Sequence, residues 1–227
     1  MNDELLLIDK PAGWTSFDVV AKLRGGIRRR YQEQGVKPTK RQLRVGHAGT
    51  LDPFATGLLI ILFGDDCKRA GEFLKLDKVY EATIRLGFTS STGDPEGELT
   101  PANNVQPSQT EIEAVLATFV GEIQQTPPVY SAIKIDGTRA YKLARDGKAV
   151  EMPERTVTIH SLELVEYAYP DIRIRAHVGS GTYIRSLSQD IGEALGTGAY
   201  TSQLRRTRIA HYSIAEAHTP DQIDEIE

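Results

Sequence analysis

The chain has 227 residues, 40% of them hydrophobic and 26% charged, with a formal net charge of -4. That length suffices to bury a sizeable core in one large domain or two small ones, and the composition is that of an ordinary globular protein. A single cysteine, Cys67, excludes an internal disulfide and a cysteine-based zinc cluster, and no apolar run approaches the roughly 18 residues of a membrane helix.

In chain order, Leu5 to Ile8 reads as a buried strand, and Asp9-Lys10-Pro11-Ala12-Gly13 turns the chain. Thr15 and Asp18 have the spacing of a capping box. They open a helix through Val19, Val20 and Leu23 that Gly25-Gly26 weakens. Gly35 to Thr39 is a loop, Leu58 to Phe63 a central buried strand, and Asp65 or Asp66 the expected cap of a helix through Phe73 and Leu74. Val79 to Leu86 partly alternates, as a half-buried strand does. Thr89 to Gln106, rich in Gly, Pro, Ser and Asn, is a long connection. Thr110 with Glu113 offers a second capping box, for a helix through Val115, Leu116 and Phe119.

Further on, Val129 to Ile135 reads as a strand ending at an Asp136-Gly137 turn, followed by a short helix from Tyr141 to Arg145. Thr156 to Glu166 and Ile172 to Val178 form an antiparallel pair. Gly179-Ser180-Gly181-Thr182 leads into a helix from Tyr183 to Leu195, Leu204 to Ile214 is a last strand, and Pro220 to Glu227 is a short acidic helix or tail. Strands and helices mix without regular βαβ alternation, which favours an α+β fold over a doubly wound one.

Charge is unevenly spread. From Lys22 to Arg44 there are nine basic residues against one acid, Glu33, whereas residues 216–227 carry five acids and no Lys or Arg. A basic block of this kind attracts phosphates, although a solvated helix face has the same look. The five histidines show no metal-ligand spacing, and the acidic Met1-Asn2-Asp3-Glu4 start is no secretory signal, so a cytoplasmic protein is expected.

The block ends at the most unusual stretch of the chain, Gly46-His47-Ala48-Gly49-Thr50-Leu51-Asp52-Pro53-Phe54-Ala55-Thr56-Gly57. Its glycines permit backbone angles and close approaches that side chains forbid, and Pro53 restrains Asp52 to extended angles. Two readings fit: a stiff loop that presents a catalytic carboxylate, or a plain Asp-Pro turn before a strand. Other chemistry is thinly represented. Gly179-Ser180-Gly181 could cradle a phosphate, but there is no dinucleotide fingerprint, no P-loop and no nucleophile elbow. The stretch offers one carboxylate where glycoside hydrolysis usually needs two.

The sequence from Gly46 to Gly57 resembles the signature of the bacterial tRNA pseudouridine synthase B family. Asp9-Lys10-Pro11-Ala12-Gly13-Trp14-Thr15-Ser16, Lys78-Val79-Tyr80-Glu81, Pro128 to Lys134, Gly181-Thr182-Tyr183-Ile184-Arg185 and Leu204-Arg205-Arg206-Thr207 resemble further segments of that family, in its order. The resemblance implies the pseudouridine synthase fold, a mostly antiparallel central sheet flanked by helices with the active-site cleft across it. It also implies conversion of uridine 55 in the tRNA T loop to pseudouridine.

Asp52 would be the nucleophile, Arg185 its ion-pair partner, and Tyr80 a residue packed on the base that takes part in proton removal. Tyr183 and Leu204 would line the uracil pocket and His47 would contact the T loop. Lys10 and Pro11 would shape the fold beneath the site. Arg28, Arg29, Arg30, Arg44, Lys134, Lys142, Arg205 and Arg206 are candidates for the RNA backbone. No metal and no cofactor are implied; the partner is the tRNA T stem-loop, with no protein partner, and the chain is expected to be a monomer.

Residues 1–214 would form the catalytic domain and 215–227 a short acidic tail, without the RNA-binding domain that many relatives carry at the C-terminus. The basic segment before Gly46 also looks longer than in many relatives. Three other readings compete: a non-catalytic tRNA-binding or folding protein, a guide-RNA-dependent pseudouridylase, and a uracil-releasing glycosylase.

Overall fold

A computed structural model describes residues 5–225; Met1 to Glu4 and the last two residues of the expected acidic tail lie outside the described residues. The elements are β1 (Leu6–Lys10), α1 (Ser16–Glu33), β2 (Val45–Ala48), β3 (Thr56–Phe63), α2 (Ala70–Leu74), β4 (Lys78–Leu86), β5 (Phe88–Ser90) and β6 (Leu99–Pro101). Then come α3 (Gln109–Thr118), β7 (Gly121–Gln125), β8 (Lys134–Ile135), β9 (Thr138–Arg139), α4 (Ala140–Arg145), β10 (Arg155–Ala168), β11 (Asp171–Val178), α5 (Ile184–Ala194), β12 (Ala199–Ile209) and β13 (Tyr212–Ser213). The architecture is α+β with mostly antiparallel pairing, as expected. The chain divides into two compact units, Met1–Tyr80 with Leu204–Glu227, and Glu81–Gln203. No helix among the described residues is long and apolar enough to cross a membrane.

The first unit is built on β3. Residues Leu58 to Leu62 are at most 1% exposed, which is why this strand reads as an unbroken apolar run. β1 pairs antiparallel with it (Leu6 opposite Ile61), as does β2 (Val45 opposite Phe63), while β12 joins it in parallel (Arg206 opposite Gly57). Val19, Val20 and Leu23 of α1 pack on Ile8, Val45, Leu59 and Ile61. Phe73 and Ile209 pack with Leu58, Ile60 and Leu62.

The Thr15–Asp18 capping box is present, and α1 runs on through Gly25 and Gly26. Each helical glycine costs about 1 kcal/mol, which the buried apolar stripe outweighs. The expected Asp65 or Asp66 cap is absent. Gly64–Arg69 is a 3-10 turn, Asp65 pairs with Arg41, Arg44 and Lys68, and Asp66 pairs with Arg69.

In the second unit, β10 and β11 form a long antiparallel pair with two bulges, and β7 adds to the other edge of β10. α5 buries Ile184, Leu187 and Ile191, and lies so close to the start of β12 that a Cβ on Gly192 would meet Ala199 at 2.4 Å.

Several expectations are corrected. The long connection contains the β5–β6 hairpin. The cap of α3 is Ser108 with Glu111, two residues before the expected pair, because Ser108 accepts from the Glu111 amide. β7 has no counterpart among the expected elements. Of the expected strand from Val129 only Lys134–Ile135 pairs, across a hairpin whose turn residues Asp136 and Gly137 have φ of 49° and 81°. The last strand starts at Ala199, stops at Ile209 and turns at Ala210 (φ 48°) into β13. Pro220–Glu225 is a 3-10 turn.

Candidate active site

Asp52 sits half-buried between β2 and β3, in a turn closed by the Ala55 amide donating to the Asp52 carbonyl at 3.1 Å. Pro53 at the second position is the residue such a turn favours. The turn is bolted to its surroundings. The Ser16 hydroxyl accepts from the Leu51 amide (2.9 Å) and donates to the Leu51 carbonyl (3.2 Å). On the other flank the Pro53 carbonyl accepts from the Gly13 amide (2.8 Å) and from Lys10 Nζ (3.3 Å). Lys10 is fully buried and also donates to the carbonyls of Pro11 and Trp14. The expectation that Lys10 shapes the fold beneath the loop therefore holds.

Arg206 departs from expectation. It is 1% exposed, and its guanidinium donates to the carbonyls of Leu58 (2.8 Å), Gly49 (3.0 Å) and Thr50 (3.5 Å). A side chain committed in this way is not a surface phosphate contact. Arg205 is half-buried and binds both oxygens of Asp9, at 3.0 and 2.6 Å.

His47 lies on β2 rather than on the loop and is half-buried. Burial, with the Arg206 charge adding to it, holds its imidazole below the usual histidine pKa. Its Nδ1 is buried without a hydrogen-bond partner among the described residues. Lys78 and Tyr80 share a face of β4. The buried Lys78 donates to the carbonyls of Leu74 (2.7 Å) and Leu76, and burial, then the Arg206 charge, pushes its ammonium down to about 8. Leu204 is buried and Tyr80 half-buried.

In the second unit, Arg185 occupies the first turn of α5 and is 3% exposed. It forms an ion pair with Asp94 at 3.1 Å and donates to the carbonyls of Thr92 and Tyr130, both at 2.8 Å. Those two residues also line a cavity of about 340 Å³, together with Ser186, Gln189, Asp190 and the Pro127-Pro128 step. Burial, with Glu193 adding to it, pushes the Asp190 carboxyl up to about 6. Tyr183 is fixed by the Gln125 side chain, which accepts from its amide (2.8 Å) and donates to its carbonyl (3.1 Å). The Gly179 amide, one of those that could have cradled a phosphate, donates to the Thr158 carbonyl instead.

Of the candidate backbone contacts, Arg28, Arg29, Lys134 and Lys142 are exposed and Arg30 is half-buried, while Arg44 is exposed and paired with Asp65 at 3.0 Å. The residues missed from sequence are Asp94, Ser16, Asp9 and Lys78. Asp94 had a signal, since Asp94-Pro95 repeats the Asp-Pro step of Asp52-Pro53. The pairing of His160 with His177, ring centroids 4.6 Å apart across β10 and β11, had none in the chain spacing.

Residues 37–184 match the family model of the N-terminal domain of TruB family pseudouridylate synthases. The chain belongs to the TruB family. Residues 185–227 match the model of the tRNA pseudouridylate synthase B C-terminal domain, so the boundary between the two TruB models falls immediately before Arg185. The chain is 45% identical to tRNA pseudouridine synthase B of Burkholderia mallei (strain NCTC 10247), over 98% of this chain and 69% of that one. It is also 45% identical to the Parabacteroides distasonis protein of the same name, over 98% of this chain and 92% of that one. Among solved structures, a chain of a Cbf5-Nop10-Gar1 complex matches with a TM-score of 0.72 and 29% identity over 97% of this chain. This TruB chain spans about half (53%) of that one. The family and the fold inferred from the motifs are thus the ones found.

Proposed function

We propose that the chain isomerises uridine 55 in the T loop of tRNA to pseudouridine, acting alone as a monomer and without a cofactor. Asp52 is the reacting carboxylate and Arg185 the guanidinium that favours its ionised form. Tyr80, Tyr183 and Leu204 receive the base, and His47 meets the loop. The uridine is flipped out of its stack before its glycosidic bond is reached, at a cost of a few kcal/mol. The N1–C1′ bond breaks, the base turns, a C5–C1′ bond forms, C5 loses its proton and N1 gains one; no atom is added overall.

What carries this reading is the Asp52 turn, held on both flanks by Ser16 and Lys10. A carboxylate on a plain surface turn has no need of two buried clamps, whereas a reacting group must be aimed. The recurrence of the name tRNA pseudouridine synthase B among relatives at 45% identity supports the same conclusion.

The reading in which partners are required draws on the likeness to chains from assemblies, a Cbf5-Nop10-Gar1 complex and an H/ACA RNP bound to a substrate RNA. One experiment separates the readings: incubate the protein alone with a T stem-loop RNA tritiated at uridine C5. Tritium release from an intact strand, with no free uracil, is expected. Silence without added partners would sink the proposal, free uracil would indicate a glycosylase, and undiminished release by Asp52→Asn would remove Asp52 from its role.

A further inference from the structure

Arg206 heads the fully buried side chains by volume. Its fork reaches both ends of the catalytic loop. Nη2 and Nη1 hold the carbonyls of Gly49 and Thr50, before Asp52, and Nε holds that of Leu58, after it. Two glycines lie against this residue. Gly49 has a left-handed backbone (φ +102°) that a side chain rarely adopts, and a Cβ there would be in ordinary contact with Nη1 at 3.5 Å. Gly57 (φ +107°) lies against the Arg206 backbone, where a Cβ would stand 2.3 Å from its carbonyl oxygen. Residues 49–58 are thereby closed into a ring by one side chain.

Among the described residues the hydrogen-bond partners of the Arg206 side chain are carbonyl oxygens, and the charged groups that feel it include two more bases, Lys78 and His47. Burying a guanidinium among carbonyls and other bases is a poor way to gain stability, since an apolar residue of similar volume commonly does as well or better. Three donors fixed in one plane do something an apolar residue cannot: they set the distance between two backbone segments.

We propose that Arg206 is a positioning residue for catalysis, its guanidinium fixing the 49–58 loop and so the direction in which Asp52 presents its carboxylate. The inference rests on Asp52 being the reacting group. It replaces the expectation that Arg206 touches RNA phosphate, and the two roles differ in what they change. A positioning residue acts on the rate of the chemical step. A phosphate contact acts on binding and on its salt dependence.

The test is single-turnover tritium release and, separately, T stem-loop RNA binding by Arg206→Met, Arg206→Lys and Arg206→Ala, with Asp52→Asn and the exposed Arg208→Met as references. Misplacing a reacting group by about 1 Å costs on the order of 100-fold, so Arg206→Met and Arg206→Lys should lose roughly that much rate. Their RNA affinity should stay within about threefold of wild type, less than 1 kcal/mol. Methylguanidinium should restore part of the rate to Arg206→Ala, and methylammonium should not. Thermal unfolding shows which variants are folded; if Arg206→Met or Arg206→Ala is not, the charge-retaining variant Arg206→Lys carries the test.

A folded Arg206 variant with wild-type rate overturns the inference while leaving Asp52 in place. Loss of affinity with an unchanged rate does the same and returns Arg206 to RNA binding. An active Asp52→Asn instead overturns the reading on which the inference rests.

Discussion

Arg185 and Asp94 face each other as a buried ion pair, Nη1 to Oδ2 at 3.1 Å, with the two side chains 3% and 4% exposed. Removing one member of such a pair leaves a desolvated charge behind, typically at a cost of about 3–5 kcal/mol. Asp94→Ala should therefore lose about 3 kcal/mol in urea unfolding, and the same change in an Arg185→Met background only about 1. Equal losses in the two backgrounds would mean that the pair is not coupled. Because Asp94 also orients a candidate catalytic guanidinium, pseudouridine formation should fall in Asp94→Asn even at temperatures where it is fully folded.

Gly57 tolerates no side chain. Its φ is +107°, and a Cβ would stand 2.3 Å from the Arg206 carbonyl oxygen and 2.7 Å from its nitrogen, both backbone atoms that β3–β12 pairing holds in place. Gly57→Ala should cost more than about 4 kcal/mol or abolish soluble expression. Gly71→Ala is the matched comparison. Gly71 lies within α2 with nothing within 4 Å of an added Cβ, so alanine there should stabilise by about 0.5–1 kcal/mol. Chemical denaturation of the two variants decides both points.

What is legible in the chain follows from the physics of each signal. The Thr15–Asp18 cap, the buried run of β3 and the alternation in β10 and β11 depend on local spacing and are readable. The cap of α3 is easily misplaced because Ser108, Thr110, Glu111 and Glu113 supply two overlapping boxes, and only packing of Ile112 and Leu116 selects between them. Asp52 stands out through its glycines and Pro53. Asp94 carries the same Asp-Pro step, yet it lies in a stretch whose Gly and Ser content reads as plain loop. Arg206 reads as a surface cation because a basic residue is exposed by default, although alternation puts it on the same face of β12 as the buried Leu204. That its partners are carbonyls far back in the chain is a tertiary fact with no trace in local pattern.

The exposed basic face of α1 should make RNA binding salt-dependent. Arg28 and Arg29 are exposed and Arg30 half-buried, on a helix that is held by its own buried stripe. Replacing the three by glutamine should leave the fold intact and weaken tRNA binding. The slope of log affinity against log salt should fall by about 2, since each phosphate the protein no longer neutralises removes about 0.7–0.9 from it. An unchanged slope would place these arginines away from the RNA.

Asp190 gives a pH dependence of known sign. Its ordinary carboxyl value is near 3.8, and in the folded chain burial, reinforced by the Glu193 charge, raises it to about 6. Between those pH values the folded state binds more protons than the unfolded one, so this group favours folding most below about 3.8, and that contribution is lost as pH rises through about 6. Asp190→Asn cannot ionise and escapes the loss. The variant should therefore gain on wild type by about 1 kcal/mol between about pH 4 and pH 7, a figure already reduced for the partial exposure of Asp190. Glu193→Gln should shrink the gain, because it removes the like charge that adds to burial. Urea unfolding of the three proteins at the two pH values measures this directly, and a constant difference between wild type and Asp190→Asn would show that the carboxyl titrates as it does in water.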